Sequence, residues 1–206
     1  MMSAVAARGP LVGRFIPDDG AARLAAMIGL AIAGTLLLWL SAKIKVPFWP
    51  VPMTMQTFMV PALAAAYGFR LGTATVLLYL VEGAAGLPVF TSTPEQGIGL
   101  AYMAGPTGGY LIAYPLAAAL IGWFAERGYD RRPFALFGVM LAGDALIFAF
   151  GFAWLAWIAA LPSGNVGLGA EAAFTAGVAP FILGDLVKLA LAAALIPAAG
   201  RLVRRR

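Results

Sequence analysis

Asp185 and Lys188 lie three residues apart in FILGDLVKLALAAAL, residues 181–195, where every other position is apolar or glycine. At 3.6 residues per turn they share one helix face and can neutralise each other. Ionisable groups inside a lipid-embedded segment cost about 2.5–3.5 kcal/mol each on insertion scales, and are candidate functional groups for that reason. A lysine in a low-dielectric pocket suits an anionic group such as a carboxylate, and a carboxylate accepts N–H donors. A small solute carrying both features would satisfy the pair. Thirteen residues separate Lys188 from Arg201, about 20 Å of helix rise. With a hydrocarbon core of about 30 Å, the pair falls in the outer half of the membrane. The competing reading is a lysine snorkelling to the outer interface with Asp185 as its structural partner.

Other groups are less decisive. Asp144, in LAGDALIFAF, fits a proton-relay acid, a packing hydrogen bond or a residue near an interface. Glu82, in YLVEGAAGLP, falls close to the outer end of a helix, where water solvates it. Thr54 and Gln56 open a helix after Pro52; Thr54 suits capping, and the Gln56 amide suits either capping or a bound polar ring. The GPTGGY stretch, 105–110, places backbone N–H groups at a helix start, although a tight turn or close packing accounts for its glycines.

Composition sets the solvent. Of 206 residues, 62% are hydrophobic and 11% charged, and the mean hydropathy is +0.90. Soluble domains average about 45–50% apolar and about 25% charged residues, so this is an integral membrane protein. Without cysteine or histidine, disulfides, thiol catalysis, serine–histidine hydrolysis and the usual zinc sites are excluded, and neither an enzyme nor a metal site is expected. No phosphate-binding GxxxxGK[ST] loop occurs, so ATP chemistry must come from another chain. A net charge of +5 does not point to nucleic acid, because the arginines are dispersed between apolar runs.

Six spans account for those runs: about Ala21–Ala42, Thr54–Gly68, Arg70–Gly86, Thr107–Ala125, Pro133–Leu161, and Ala172 to the tail RLVRRR. Residues 1–20 precede them as a cytoplasmic segment, and 21–206 form one all-α membrane domain. Of the 14 basic residues, Arg8, Arg14, Arg23, Arg70, Arg127, Arg131, Arg132, Arg201, Arg204, Arg205 and Arg206 fall on one side of such a chain. Only Lys43 and Lys45 fall on the other. The positive-inside bias therefore places both termini in the cytoplasm. The two outer connections are unusual. KIKVPFWPVPMTMQT is stiffened by Pro47, Pro50 and Pro52. LPVFTSTPEQGIGLAYMAGPTGGY is long, and Phe90, Ile98, Leu100, Tyr102 and Met103 favour burial, so it is expected to cap the outer face. By contrast RGYDRR, 127–132, is a short charged inner turn. Small residues recur at Ala21, Ala25, Gly29 and Ala33, spacing that permits close helix approach, either within the chain or to another membrane subunit.

Four stretches in order, PVPMTMQTFMV (50–60), GFRLGTATVLLYLVEGAAGLPVF (68–90), GPTGGYLIAYPLAA (105–118) and GDLVKLALAA (184–193), resemble the BioY family. These are biotin-specific S components of energy-coupling factor (ECF) transporters. The resemblance implies a six-helix S-component fold that captures biotin from outside across the cell's inner or plasma membrane. A transmembrane coupling subunit and two ABC-type ATPases would drive release inward, by toppling of the S component in the bilayer. No cofactor is implied beyond biotin as cargo. Asp185 and Lys188 match the family's ligand-site GDxxK. Lys188 is then expected on the valerate carboxylate or another biotin acceptor, and Asp185 on a ureido N–H or on the lysine. Gln56 and Tyr110 match family blocks as second contacts, with Phe90 beside the thiophane ring. Ala25, Gly29 and Ala33 correspond to the family's coupling-subunit contact. The Pro94–Glu95 segment departs from the glycine-rich pattern of many members, so no contact is carried over there. The alternative from the residues alone is a stand-alone proton-coupled transporter of a small carboxylate-bearing solute, with Asp144 and the Asp185–Lys188 pair as relay groups.

Overall fold

Within hydrocarbon every backbone N–H and C=O must be satisfied inside its own segment, and these apolar runs satisfy them as helices. The computed structural model describes residues 10–204. In chain order these form α1 (Gly20–Lys43), the strand pair β1 (Lys45–Val46) and β2 (Met53–Thr54), α2 (Gln56–Ala84), α3 (Gly99–Ala104), α4 (Gly108–Ala125), α5 (Pro133–Trp157), α6 (Ala170–Gly177) and α7 (Ile182–Arg204). Five helices, α1, α2, α4, α5 and α7, are long and apolar enough to cross a membrane.

α2 is not straight. Gly68 has φ 81° and ψ −175°, a conformation open essentially to glycine alone. Gln56 and Tyr79 would lie about 35 Å apart along a continuous helix, yet the Gln56 amide donates to the Tyr79 hydroxyl at 3.0 Å. Residues 56–67 and 69–84 are therefore antiparallel arms folded at Gly68. α4 packs closely against this fold: a Cβ at Gly122 would stand 2.6 Å from the Gly68 carbonyl carbon. Glu126, just past α4, accepts the free Phe69 N–H at 2.9 Å and so caps the second arm.

The arms of α2 occupy the centre, packed on α1, α4 and α7, while α5 packs on α4, α6 and α7. α1 approaches through Gly34, where a Cβ would come within 2.5 Å of Thr75 Cγ2. The buried side of α1 is Gly34, Thr35, Leu38, Ser41 and Ala42. Ala21, Ala25, Gly29 and Ala33 all point outward, so this stripe takes no part in internal packing.

Three expectations change. The last helix does not run unbroken from Ala172: α6 stops at Gly177 and α7 begins at Ile182, because Pro180 disfavours a helical residue before it. α5 ends at Trp157 rather than Leu161, where Ala160 instead bridges Val166 ahead of Pro162. In the long connection Phe90 and Tyr102 are buried, but Ile98 and Leu100 are exposed. The proline-rich connection is extended, as its composition dictates, and closes as a ribbon with Lys45 opposite Thr54.

The helix ends define two faces. Connections 44–55, 85–107 and 158–181 lie at one, the cap end, with Lys43 and Lys45. The Gly68 fold and turn 126–132 lie at the other, the arginine end, with Arg23, Arg70, Arg127, Arg131, Arg132 and Arg201. Arg8, Arg205 and Arg206 lie outside the described residues. The two lysines fasten the cap: Lys43 Nζ donates to Phe90 O at 2.9 Å and Thr93 O at 3.2 Å, and Lys45 Nζ donates to Ser92 Oγ at 2.8 Å.

Candidate functional site

A partly open cavity lies beneath the cap. Its walls come from elements far apart in sequence. The start of α2 contributes Gln56 and Thr57, Thr107 stands just before α4, which contributes Tyr110 and Tyr114, α5 contributes Ile147 and Phe148, and Phe181 and Asp185 close the side at α7. Val51 to Thr54, Thr91 and Tyr102 form the roof. Rings and aliphatic groups dominate, hydroxyls and one amide punctuate them, and among the described residues Asp185 is the only charged one on the wall.

The acid and the lysine are joined as their spacing predicts. Lys188 Nζ lies 2.8 Å from Asp185 Oδ1, and the residues are 9% and 1% exposed. Thr57, which the sequence did not single out, completes the unit. Its hydroxyl donates to Asp185 Oδ1 at 2.7 Å and accepts from Lys188 Nζ at 3.1 Å. Lys188 also donates to Thr54 O at 2.7 Å, so its three protons have three acceptors. The lysine thus sits behind the wall and compensates the buried carboxylate. Asp185 Oδ2 is buried without a hydrogen-bond partner. An orphaned carboxylate oxygen carries a desolvation cost that an N–H donor entering the cavity would relieve.

The other expected residues divide. Gln56 is on the wall, with its amide donating to Tyr79, whose hydroxyl donates on to Val89 O at 2.9 Å. Thr54 plays the expected capping part, its hydroxyl accepting the Gln56 N–H at 3.2 Å. Tyr110 lines the cavity with its ring; its hydroxyl donates to Gly177 O at 2.7 Å, and a Cβ at Gly151 would overlap the ring. Phe90 is not on the wall. It lies behind Tyr102, stacked on that ring at 5.2 Å and edge-on to Tyr79 at 5.5 Å. Asp144 is buried one turn of α5 below Ile147 and Phe148, and its Oδ1 has no partner.

Wall residues that the sequence reading did not single out are Thr57, Thr91, Thr107, Tyr114, Phe148 and Phe181, whereas Tyr102 was expected to be buried in the cap and is. Thr57 alone had a local signal, one position from Gln56; the rest reach the cavity only through the packing of α3, α4, α5 and α7. Burial pushes the Tyr102 phenol up to about 12, so it presents a neutral hydroxyl throughout the physiological range. Thr91 Oγ1, in the roof, is likewise buried without a hydrogen-bond partner.

Comparison with known proteins follows the same lines. Residues 17–205 match the BioY family. The chain is 36% identical over 171 residues to the probable biotin transporter BioY of Pyrococcus horikoshii, covering 83% of this chain and 92% of that one. It is 36% identical over 159 residues to the biotin transporter BioY of Thermotoga maritima, with 77% and 86% covered. The fold superposes on the crystal structure of the S-component for biotin from an ECF-type ABC transporter with TM-score 0.73, 24% identity, and 91% and 95% of the two chains covered.

Proposed function

Because the chain belongs to the BioY family, we propose that it captures biotin in the cavity beneath its cap, as the substrate-binding subunit of an ECF-type transporter. One observation carries the reading: Asp185, the only charged residue among the described ones on the wall of a mainly apolar cavity, has a buried carboxylate oxygen, Oδ2, without a hydrogen-bond partner. Biotin carries N–H donors on its ureido ring and an apolar bicyclic body. A ureido N–H bonds Asp185 Oδ2, and the rings of Tyr102, Tyr110 and Phe181 cover the body. Lys188 holds Asp185 in place through their 2.8 Å contact. Since its three protons are engaged, the valerate carboxylate lies toward the hydroxyls of Thr91 and Thr107, nearer the roof. Gln56 shapes the wall through Tyr79, and Phe90 supports Tyr102 from behind.

The arms of α2 serve as the second and third of six spans, with both termini cytoplasmic in the cell's inner membrane. This topology is supported by the fold at Gly68 and by the arginines gathered at one end. The coupling subunit docks on Ala25, Gly29 and Ala33, where the exposed face is small enough for close approach; a Cβ at Gly29 would meet nothing within 4 Å. ATPase partners supply the energy, and this chain performs no covalent chemistry.

Titrating the purified protein with biotin tests the site. Asp185→Asn removes a charge-assisted acceptor in a dry pocket and should weaken binding by about a hundredfold or more. Failure of the parent protein to bind biotin would overturn the function; parental affinity in the variant would overturn the site.

A further inference from the structure

The charged turn at the arginine end is not used by the transport reading. Glu126, Arg127, Gly128, Tyr129, Arg131 and Arg132 border an open concavity of about 1050 Å³ between the end of α4 and the start of α5. The two acids of the turn are committed to the protein. Glu126 Oε1 accepts the Phe69 N–H, and Asp130 is buried beside Arg131, 3.9 Å from its Nε. The two form an ion pair, and Arg131 Nε is buried without a hydrogen-bond partner. Arg127 lies flat on Trp123, its guanidinium carbon 3.2 Å from the ring centroid, with Nη1 donating to Trp123 O at 2.8 Å. Trp123, Phe124 and Tyr129 form a continuous edge-on aromatic series at 4.8 and 5.0 Å. Phe134, two residues past Arg132, is 93% exposed.

We infer that this concavity binds the phosphodiester headgroup of an anionic glycerophospholipid. Arg132 presents an exposed fork of donors that matches phosphate oxygens. Arg127 and Arg131, partly engaged by Trp123 O and Asp130 respectively, add positive charge beside it, and all three stand at the ends of membrane-spanning helices, where headgroups lie. Basic pockets between spanning helices on the cytoplasmic side bind acidic headgroups by this chemistry. The exposed rings of Trp123 and Phe134 supply what a free anion does not need, an apolar surface for the glycerol ester and the first acyl carbons. Such a lipid would brace the α4–α5 turn, and through Glu126 the fold at Gly68.

The test uses the full chain in non-ionic detergent, titrated with phosphatidylglycerol or phosphatidylcholine, with bound lipid counted by native mass spectrometry. Phosphatidylglycerol should be retained in preference to phosphatidylcholine, and R131Q/R132Q should weaken retention by about fivefold for each arginine neutralised. Arg132→Gln alone, at an exposed position, gives the single step should the double variant fail to fold. Arg23→Gln, an exposed arginine on α1 away from the turn, should retain the lipid as the parent does. Equal retention of both lipids, parental retention in R131Q/R132Q, or an equal loss in Arg23→Gln would overturn the site. Displacement of the lipid by millimolar inorganic phosphate would overturn the lipid as ligand, leaving a free-anion site.

Discussion

At the cap end the chain spends three long connections, 44–55, 85–107 and 158–181, to enclose a cavity that carries one wall charge. At the arginine end it turns at a single glycine and in a seven-residue loop, 126–132, and leaves most of its cations exposed, Arg131 excepted. The lysines show the difference in use. Lys43 and Lys45 are spent on carbonyls and a hydroxyl of the cap, and Lys188 on a buried carboxylate. The arginines at the other end hold few protein acceptors. Charge that builds a ligand site has to be neutralised and hydrogen-bonded at burial, whereas charge that sets topology or meets headgroups works best solvated.

The largest effect should come from breaking the buried unit. Lys188→Met leaves Asp185 uncompensated and is expected to cost about 3–5 kcal/mol of stability, with loss of biotin binding. Asp185→Leu combined with Lys188→Met should regain much of the stability and none of the binding. A thermal melt and a biotin titration on both variants separate the two roles; a single variant as stable as the parent would mean that the pair does not hold the site together. At the arginine end, Gly68→Val forces a side chain into a backbone region closed to it, with its Cβ 2.7 Å from Glu126 Oε1. It should lower stability by about 1–3 kcal/mol while biotin affinity, measured below the melt, stays near parental.

Thr57→Val is subtler. It removes the hydroxyl shared by Asp185 and Lys188 and should weaken biotin by about tenfold, on the scale of about 1–3 kcal/mol for an under-bonded buried group. Unchanged affinity would show that Asp185 needs no help in orientation. The smallest effect is expected at Thr91→Val in the roof. Its hydroxyl lacks a partner within the protein, so the melt measured without biotin should hold or rise slightly. Biotin affinity should fall a few-fold, as for the loss of one hydrogen bond worth about 0.5–1.5 kcal/mol. A larger loss than in Thr57→Val would move the main polar contact from the helix wall to the cap.

The helices were readable because lipid allows few alternatives for an apolar run of that length: the spans at 20–43 and 108–125 begin and end close to where the sequence places them, and the one at 133–157 begins at its proline but ends four residues early. The Asp185–Lys188 pair was readable because helical periodicity alone puts it on one face. The break at 178–181 carried a local signal in Pro180, but a single proline does not say whether a helix kinks or ends. Phe90 illustrates a different limit. Its apolar type called for burial, and it is buried, but type alone does not distinguish a cavity wall from the layer behind it.

Sequence by itself determined the solvent, the charge asymmetry between the ends, the paired ions in the last helix and the family. These are properties of composition, order and short-range spacing. Tertiary structure decided that Thr57 joins the pair, that Lys188 faces away from the cavity with its protons spent, that Asp185 keeps one oxygen free, and that the small stripe on α1 faces outward. Each depends on which helix faces meet, and that follows from close packing across the whole bundle, a non-local condition that no single segment encodes.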